Sequence, residues 1–383
     1  MLETIALEPT TDLALLAPAV PFVQGSGICL EPETAATLRQ LVRDLHELTH
    51  AREWAQRVDA DADEVARHSP GNCGVFMGYD VHLTPDGPRL IEVNTNAGGA
   101  LLNGLHTWSR CGSLCPEGPP GLGQLGTLVA ETFRAEFRSV RGPVAELRRV
   151  ALVDHRPREQ FLWPEFELAV TLLRAQGIEA DIVCTQDLDP SRYDLVYWRD
   201  TDFQLEAPRS RRLREAYLED RVVVTPTPRE HHLIANKERL TLFSSPDELM
   251  SLGLSEEAAR RIAQLVPESH TVSSFDPEVL WSRRKEWVFK PAALHGSRAV
   301  YRGDKLSRKR FEQVLLDPSY LVQRRVPPGA LDVQTEGGQR KLKVDVRAYA
   351  YRDQVLWFGA RAYQGQVTNM RSAGGGFAAI CDC

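Results

Sequence analysis

Three oxygen-bearing side chains are spaced so that they can meet at one point of the folded chain. Glu92 and Asn94 stand two residues apart in a predicted strand, so both side chains point to the same face. Asp80, predicted at the end of the preceding strand, can lie beside them across a hairpin. Carboxylate and amide oxygens suit Mg²⁺, which takes one or two protein carboxylates and leaves its other positions to water and substrate phosphates. The spacing predicts a magnesium site.

The hairpin that would bring these residues together has its own sequence signal. Residues 84–87 read Thr-Pro-Asp-Gly, in which proline sets φ for a turn and Asp-Gly tolerates the positive φ of a tight reversal. A solvated strand face is the competing interpretation of Glu92 and Asn94. The metal site is favoured because apolar residues at 91 and 93 alternate with them, and because the glycine pair at 98–99 lets backbone approach a ligand closely.

A lysine in the last third of the chain is placed to bind phosphate. Lys290 ends a predicted buried strand at 287–290 and precedes a turn of small residues that contains Gly296 and Ser297. An ammonium group there would neutralise charge while the N–H groups of the turn surround phosphate oxygens. A strand that only contributes to the core is the competing interpretation.

Residues 320–329 predict an edge-type strand that runs into Pro-Pro. The backbone of such a strand, including that of Arg325 and Val326, could hydrogen-bond an adenine while Gln323 caps its exocyclic amine. Two further predicted strands, at 343–349 and 356–361, would pair across a turn at 352–353.

Those two strands carry the cationic residues Arg347 and Arg361 side by side. The segment that follows, from Asn369 to the glycine run containing Gly374 and Gly375, predicts a mobile loop that could close over a ligand. Each of these segments is also typical of ordinary core structure, and their joint order favours a binding site.

The middle of the chain predicts a small parallel α/β domain. Strands at 150–153, 178–183 and 194–198 alternate with a helix at 164–176. Ligands of such domains bind beyond the carboxyl ends of the strands, and Arg199 directly follows the third strand. It could therefore hold a substrate carboxylate through a bidentate guanidinium contact, with a surface ion pair as the alternative.

Other segments carry less chemical information. Residues 31–66 are helical in pattern, and a second helix is expected to begin at the glycine pair 98–99, whose N–H groups could meet an anionic ligand. The composition, 43% hydrophobic and 26% charged over 383 residues, is that of a soluble globular protein. A net charge of −6 excludes a basic nucleic-acid footprint, and no apolar run approaches the length of a membrane span.

The N-terminal residues and the cysteines predict the cellular compartment of the protein. The first residues lack the basic start of a signal peptide, so we expect no export. Seven cysteines, an odd number and widely scattered, predict reduced thiols in a cytoplasmic protein.

Taken in order, these segments resemble the circularly permuted branch of the ATP-grasp ligases, the glutathionylspermidine synthetases and eukaryotic-type glutathione synthetases. Residues 91–96 with the following glycine pair look like the Glu-x-Asn-Thr metal motif of the family, with Asp80 as its upstream Asp. Residues 195–200 resemble the end of its substrate domain, 233–237 its ATP-contacting Asn/Thr-Lys, and 289–291 its second ATP lysine. The resemblance covers most of residues 74–383.

The resemblance implies an α/β (mixed α+β) ATP-grasp fold, circularly permuted, with the small parallel domain inserted. Three regions are expected: 1–147, helices plus the metal-binding part of the core; 148–228, the substrate-binding domain; and 229–383, the ATP-binding lid with the rest of the core. It further implies ATP and Mg²⁺ as cofactors, Lys237 as an ATP ligand and Asn96 as a substrate ligand. The partners would be a small-molecule or peptide carboxylate and an amine, with no nucleic acid and no membrane.

Two positions differ from the family pattern. Gly78 stands where the family has an Arg that contacts the reactive phosphate, and Leu294 or His295 stands where it has a metal-binding Glu. Arg347 or Arg361 could take the first of these roles. The leading hypothesis is an ATP-dependent carboxylate–amine ligase that works through an acyl phosphate. The alternatives are a phosphotransferase on the same scaffold and a nucleotide-binding protein without catalysis.

Overall fold

The structure, a computed structural model, describes residues 3–6, 20–23, 26–60, 62–110, 122–292, 299–335, 338–365, 370 and 373–382. Within them no helix combines the length and the apolar character needed to cross a bilayer. The strands, in chain order, are β1 (Glu3–Ala6), β2 (Ser26–Leu30), β3 (Met77–Thr84), β4 (Gly87–Asn94), β5 (Arg149–Asp154), β6 (Glu179–Cys184), β7 (Leu195–Trp198), β8 (Val223–Thr225), β9 (Ser269–Thr271), β10 (Trp287–Pro291), β11 (Tyr301–Arg302), β12 (Tyr320–Arg324), β13 (Gly329–Thr335), β14 (Gly338–Tyr351), β15 (Gln354–Tyr363), β16 (Gly376–Ala378) and β17 (Ile380–Asp382).

The helices pack on both sides of these sheets. They are α1 (Pro32–Thr49), α2 (Arg52–Val58), α3 (Glu64–Arg67), α4 (Ala100–Arg110), α5 (Leu122–Arg141), α6 (Trp163–Ala175), α7 (Arg211–Leu218), α8 (Pro228–Glu230), α9 (Arg239–Phe243), α10 (Pro246–Ser251), α11 (Glu256–Leu265), α12 (Pro277–Arg283) and α13 (Arg308–Leu315). The single helical region predicted at 31–66 is three helices, α1 to α3. The leucine stripe of α1 is buried against the large sheet described next.

The largest sheet has the order β16-β15-β14-β3-β4, with β13 also paired to β14. The predicted hairpin is present as β3 and β4, which reverse at 85–86. The first strand is longer than predicted, because β3 begins at Met77, so Asp80 lies inside it rather than at its end. Asp80 is the register partner of Glu92, next to a β-bulge, and Arg347 of β14 is its partner on the other side.

The predicted parallel sheet is present with the order β6-β5-β7-β8, and every neighbouring pair in it is parallel. β5, β7 and β8 are buried along most of their length, which is why they read as apolar runs in the sequence, whereas the edge strand β6 is mostly half-buried. The fourth strand, β8, was not predicted, since three residues are too few to show a periodic pattern.

A separate four-stranded sheet has the order β11-β10-β12-β9. The prediction that β12 is an edge strand is wrong, because β10 and β9 pair with it on its two sides. Residues 325–328 leave this sheet before β13 begins in the large sheet, so the chain crosses between the two sheets at this point.

The two ends of the described chain meet in a small sheet of β1, β2 and β17. Cys29 and Cys381 are register partners on the parallel strands β2 and β17, and both are disulfide-bonded. The prediction of reduced thiols is therefore wrong for these two residues, which lie 352 positions apart in the sequence. Cys73 and Cys184 are free thiols, as expected.

Candidate functional site

A cleft of about 450 Å³ lies between the large sheet and the four-stranded sheet. Charged side chains from seven strands and from the loop before α9 face it. Among those that line it are Asp80, Glu92, Asp345, Lys237, Lys290 and Arg361. Two of the three predicted metal ligands, Asp80 and Glu92, thus lie in one cavity with the two predicted ATP lysines, although up to 210 residues separate them in the sequence. The third, Asn94, does not line the cavity but hydrogen-bonds to Asp80 and Glu92.

Asp80 is at the centre of a buried ion cluster. Its side chain accepts a bidentate pair of hydrogen bonds from Nε and Nη2 of Arg347, the latter over 2.7 Å. Arg361 Nη2 donates to Asp80 Oδ2 over 2.8 Å, while Arg361 Nε donates to Asp345 Oδ1 over 2.7 Å. Asn94 Nδ2 lies 3.2 Å from the same Oδ2. Both carboxylate oxygens of Asp80 therefore already have cationic or amide partners.

The electrostatics of this cluster favour its charged form. Burial by itself would raise the pKa of Asp80, but the charges of Arg347 and Arg361 outweigh burial and lower it to about 2. Burial would likewise lower the pKa of Arg361, and the two carboxylates beside it instead hold that pKa well above its usual value. The cluster is thus ionised throughout the neutral pH range.

Glu92 and Asn94 lie between this cluster and the two lysines. The amide nitrogen of Asn94 lies 3.4 Å from Glu92 Oε1 as well as near Asp80, so its oxygen is the atom left for a cation. Lys237 Nζ lies 4.0 Å from Glu92 Oε2. Glu92 is half-buried, so a ligand in the cleft can reach its carboxylate.

Lys290 is the more deeply buried of the two lysines. Its Nζ donates to the backbone oxygen of Ile91 over 3.1 Å and to Gln323 Oε1 over 2.6 Å. Burial lowers the pKa of Lys290 to about 8, with Glu92 opposing that change and Lys237 adding to it. The positive charge of this ammonium group is only partly balanced by the protein, so an anionic ligand beside it would be stabilised.

Gln323 and the residues after it form the wall opposite the carboxylates. Gln323 is 2% exposed, and its amide nitrogen has no hydrogen-bond partner among the described residues. The backbone N–H of Arg325 donates to Glu286 O over 2.7 Å, and Val326 O is 2.9 Å from the His82 ring. Both Arg325 and Val326 line the cleft, but these particular backbone atoms are already bonded within the protein.

Arg199 lies outside the cleft lining, in a buried ion pair. It is 8% exposed, and its guanidinium lies 3.2 Å from Glu165 Oε2 and 2.9 Å from the Tyr197 hydroxyl. Asn96 Nδ2 donates to the backbone oxygen of Arg199 over 2.7 Å. Glu165 also accepts hydrogen bonds from two N–H groups at the start of α4, those of Gly99 and a neighbouring leucine. The N–H groups expected to meet an anionic ligand therefore bind a carboxylate of the protein itself.

Of the site residues predicted in segments 292–298 and 369–376, the structure describes two, Gly374 and Gly375. Gly296, Ser297 and Asn369 lie outside the described residues. Gly374 and Gly375 directly precede β16, whose first residue pairs with Ala362, next to Arg361.

The space above Gly78 is filled by Arg347. A Cβ atom on Gly78 would lie 3.0 Å from Arg347 Cδ and 3.1 Å from its Nε. It would also lie 2.6 Å from the Cβ of Ala97. The guanidinium of Arg347 therefore occupies the region into which a longer side chain at position 78 would extend.

Several residues of the cleft were missed at the level of sequence. Lys341, Lys343 and Asp345 line it from β14, and they share a face with Arg347 because strand side chains alternate. Charged residues at every second position of a strand that is otherwise apolar were the signal that could have identified them. His82 also lines the cleft, and no pattern in its own neighbourhood marks it.

No protein-family model and no curated protein sequence matches the chain. Among solved structures, the apo form of a glutathione synthetase-like effector from Globodera pallida aligns with 96% of this chain and 94% of its own, at 12% identity and a TM-score of 0.56. The chain has a glutathione synthetase-like fold. The glutathione synthetase-like fold agrees with the mixed α/β class predicted from the sequence, whereas the circular permutation stays a prediction.

Two other solved structures align less well. A protein provisionally assigned as a gamma-glutamylcysteine synthetase from Methylobacillus flagellatus aligns with 88% of the chain and 84% of its own, at 13% identity and a TM-score of 0.47. The ATP-grasp ligase PsnB in complex with a minimal precursor aligns with 60% of the chain and 76% of its own, at 20% identity and a TM-score of 0.33.

Proposed function

We propose that this protein is an ATP- and Mg²⁺-dependent carboxylate–amine ligase. The observation that carries the proposal is the composition of the cleft, in which ammonium and guanidinium groups face carboxylates across one cavity. A nucleoside triphosphate needs cationic groups for its phosphates and oxygen ligands for its metal ion, and both are within one cavity here. The glutathione synthetase-like fold supports the same class of chemistry.

The nucleotide would lie along the wall formed by β10 and β12. Lys290 and Lys237 would neutralise the phosphates, together with the turn that contains Gly296 and Ser297. The unpartnered amide nitrogen of Gln323 is a donor that an adenine ring nitrogen could satisfy. Arg325 N and Val326 O already form hydrogen bonds within the protein. We therefore assign the hydrogen bonds to adenine to the other backbone atoms and the side chains of that wall.

The donor set fits Mg²⁺ in part. Glu92 and the amide oxygen of Asn94 would hold the ion, which would supply positive charge to neutralise the phosphates. Asp80 fits less well, since its oxygens already accept hydrogen bonds from two guanidinium groups. It could join the metal only by releasing one of them. Its present contacts make Asp80 the residue that orients Arg347 and Arg361.

Arg347 and Arg361 would stabilise the charge that develops during transfer. A substrate carboxylate oxygen attacks the γ-phosphorus, the bond to the bridging oxygen breaks, and ADP leaves. The amine then attacks the acyl phosphate, loses a proton, and expels inorganic phosphate to leave an amide. We assign Arg347 to the first step because it fills the space above Gly78, where related ligases are expected to carry their phosphate-contacting Arg. Such stabilisation, rather than covalent catalysis, is what phosphoryl transfer requires.

The remaining assignments complete the proposal. Asn96, Arg199, Asn369, Gly374 and Gly375 are proposed to contact the carboxylate or amine substrate. Arg199 would do so only if the substrate displaced its contact with Glu165. The three regions 1–147, 148–228 and 229–383 are proposed as the domains of the protein, and a cytoplasmic location is proposed for it.

ADP release tests the proposal. Wild-type protein is incubated with Mg²⁺, ATP and pairs drawn from a panel of amino acids, short peptides and polyamines, with Lys290→Met as the test variant. Lys305→Met is the matched control, because Lys305 is exposed and lies outside the cleft lining. We expect wild type and Lys305→Met to release ADP with at least one pair, and Lys290→Met to lose most of that activity. A wild-type protein that binds no ATP in the presence of Mg²⁺ would contradict the proposal.

One observation favours a second function, nucleotide binding without catalysis. The two guanidinium groups on Asp80 make the cluster self-neutralising, so it does not need a metal to be stable. Mg²⁺-dependent ATP binding without ADP release for any pair would favour this alternative.

A further inference from the structure

Three metal-ligating side chains meet at the C-terminal end of α1, among residues that do not line the cleft. His46 and His50 are one helical turn apart, and Cys73 comes from the segment that leads into β3. One ligand atom from each lies within 4.8 Å of the others. Ligand atoms around a tetrahedral ion, at about 2.0–2.3 Å from the metal, are roughly 3.3–3.8 Å apart. The cluster is compact enough for one ion after small side-chain movements.

Glu230 lies beside these three residues. Its Oε2 lies 3.2 Å from His50 Nε2, and Cys73 Sγ lies 3.2 Å from the same nitrogen. The Glu230 side chain is only 4% exposed, and a carboxylate so far from water needs a compensating cation. In the described part of the chain, His50 is the group that forms an ion pair with it.

The hydrogen bonding of His50 directs one ring nitrogen at this cluster. Its Nδ1 lies 2.8 Å from the backbone oxygen of His46, and a carbonyl only accepts, so Nδ1 carries the hydrogen. In the neutral ring Nε2 then presents a lone pair to the carboxylate of Glu230, which is repulsive unless a cation lies between them. That cation is either a second proton or a metal ion. Metal-bound histidines are typically oriented by this kind of contact to a carbonyl.

The side chains of Cys73 and His46 decide between a proton and a metal ion. A proton on His50 would pair it with Glu230, and that pair would need neither a thiol nor a second imidazole beside it. A set of two imidazoles, a thiol and a carboxylate is typical of Zn²⁺ and unsuited to Mg²⁺. We propose that His46, His50, Cys73 and Glu230 bind one Zn²⁺ in a structural site. This inference does not depend on the proposed function.

Such a site would join separate parts of the chain. It would tie α1 and the segment that leads into β3 to α8, which Glu230 ends. Glu230 is followed by a π-helical turn, His231–Ala235, and then by Lys237 of the cleft. Binding would convert the Cys73 thiol to a thiolate and release its proton to solvent.

Metal content and cobalt substitution test the proposal on the full chain. Wild type, Cys73→Ser, His46→Gln and the control Cys184→Ser are stripped of metal, loaded with Zn²⁺ or Co²⁺, and desalted. Cys184 is the matched control because it is also a free thiol. We expect one equivalent of zinc in wild type and Cys184→Ser, and binding weakened by more than about 100-fold in the two other variants. The thiolate-to-Co²⁺ absorption should appear in wild type and Cys184→Ser and be absent from Cys73→Ser.

Zinc-edge X-ray absorption on wild type provides a readout that does not require any variant to fold. We expect one sulfur at about 2.3 Å and nitrogen or oxygen ligands at about 2.0 Å. Zinc without a sulfur ligand, equal zinc in Cys73→Ser and wild type, or no zinc retained by wild type would each overturn the proposal.

Discussion

The buried charge of Lys290 should be visible in how stability depends on pH. The pKa of Lys290 is lowered from its usual 10.5 to about 8, and burial is the largest cause. At about 1.4 kcal/mol per pKa unit, the charged form is about 3 kcal/mol less favourable in the folded protein than in the unfolded chain. Between pH 8 and 10.5 the unfolded chain binds more protons at this residue than the folded protein does. Its penalty is therefore fully present below pH 8 and disappears as the pH rises towards 10.5.

Urea unfolding of wild type and Lys290→Met at several pH values measures this penalty. We expect the free energy of unfolding of wild type, relative to that of Lys290→Met, to rise by about 3 kcal/mol from pH 7 to pH 10.5. Lys305→Met, which removes an exposed lysine, should follow wild type. Parallel pH curves for wild type and Lys290→Met would refute the view that Lys290 is held charged against its environment.

The lowered pKa of Lys290 also predicts how nucleotide binding depends on pH. An anionic phosphate beside Lys290 favours its charged form, so binding should restore a proton above pH 8. ATP affinity in excess Mg²⁺ should then fall by up to about tenfold per pH unit above pH 8. In Lys290→Met the affinity should be lower at pH 7 and flat over the same range. A wild-type affinity that does not change between pH 7 and 9.5 would remove Lys290 from the phosphate site.

Three further substitutions have expected outcomes. Asp80→Asn should lower the free energy of unfolding at pH 7 by about 3–5 kcal/mol, because it removes the carboxylate paired with the buried Arg347 and one of the two carboxylates beside Arg361. The pKa of Asp80 is lowered to about 2, so its contribution to the free energy of unfolding is present above pH 3.8 and is lost as the pH falls through 2. In urea titrations the stability of Asp80→Asn should therefore lack this loss at acid pH. Glu165→Gln should cost about 3 kcal/mol in the same assay, because Arg199 loses its buried partner and the start of α4 loses a carboxylate cap; an unchanged midpoint would contradict this. Gly99→Ala should destabilise by more than about 1 kcal/mol in thermal unfolding, because φ is +84° and the new Cβ would lie 2.4 Å from the ring of Phe377, whereas Gly142→Ala, with no atom within 4 Å of its new Cβ, should cost less.

Local pattern was enough to predict the elements that carry the site. The hairpin of β3 and β4, three of the four parallel strands, and the long pair β14 and β15 were predicted, because turn residues and apolar periodicity are encoded by residues near in sequence. The same holds for Glu92 and Asn94 sharing a face, which follows from their spacing alone. The edge assignment of β12 was wrong because a strand's neighbours are not encoded in its own residues.

What the tertiary structure alone decided is which polar group compensates which charge. The carboxylate of Asp80 is paired with Arg347, which is 267 residues away, so a residue predicted to bind metal also holds two arginines. Glu165 takes the N–H groups at the start of α4 and the guanidinium of Arg199, both of which the sequence left open for a ligand. A buried charge must find its partner in space, and sequence spacing carries no record of that choice. The sequence therefore identified the charged residues of the site, and only the packing of the sheets determined which of them pair.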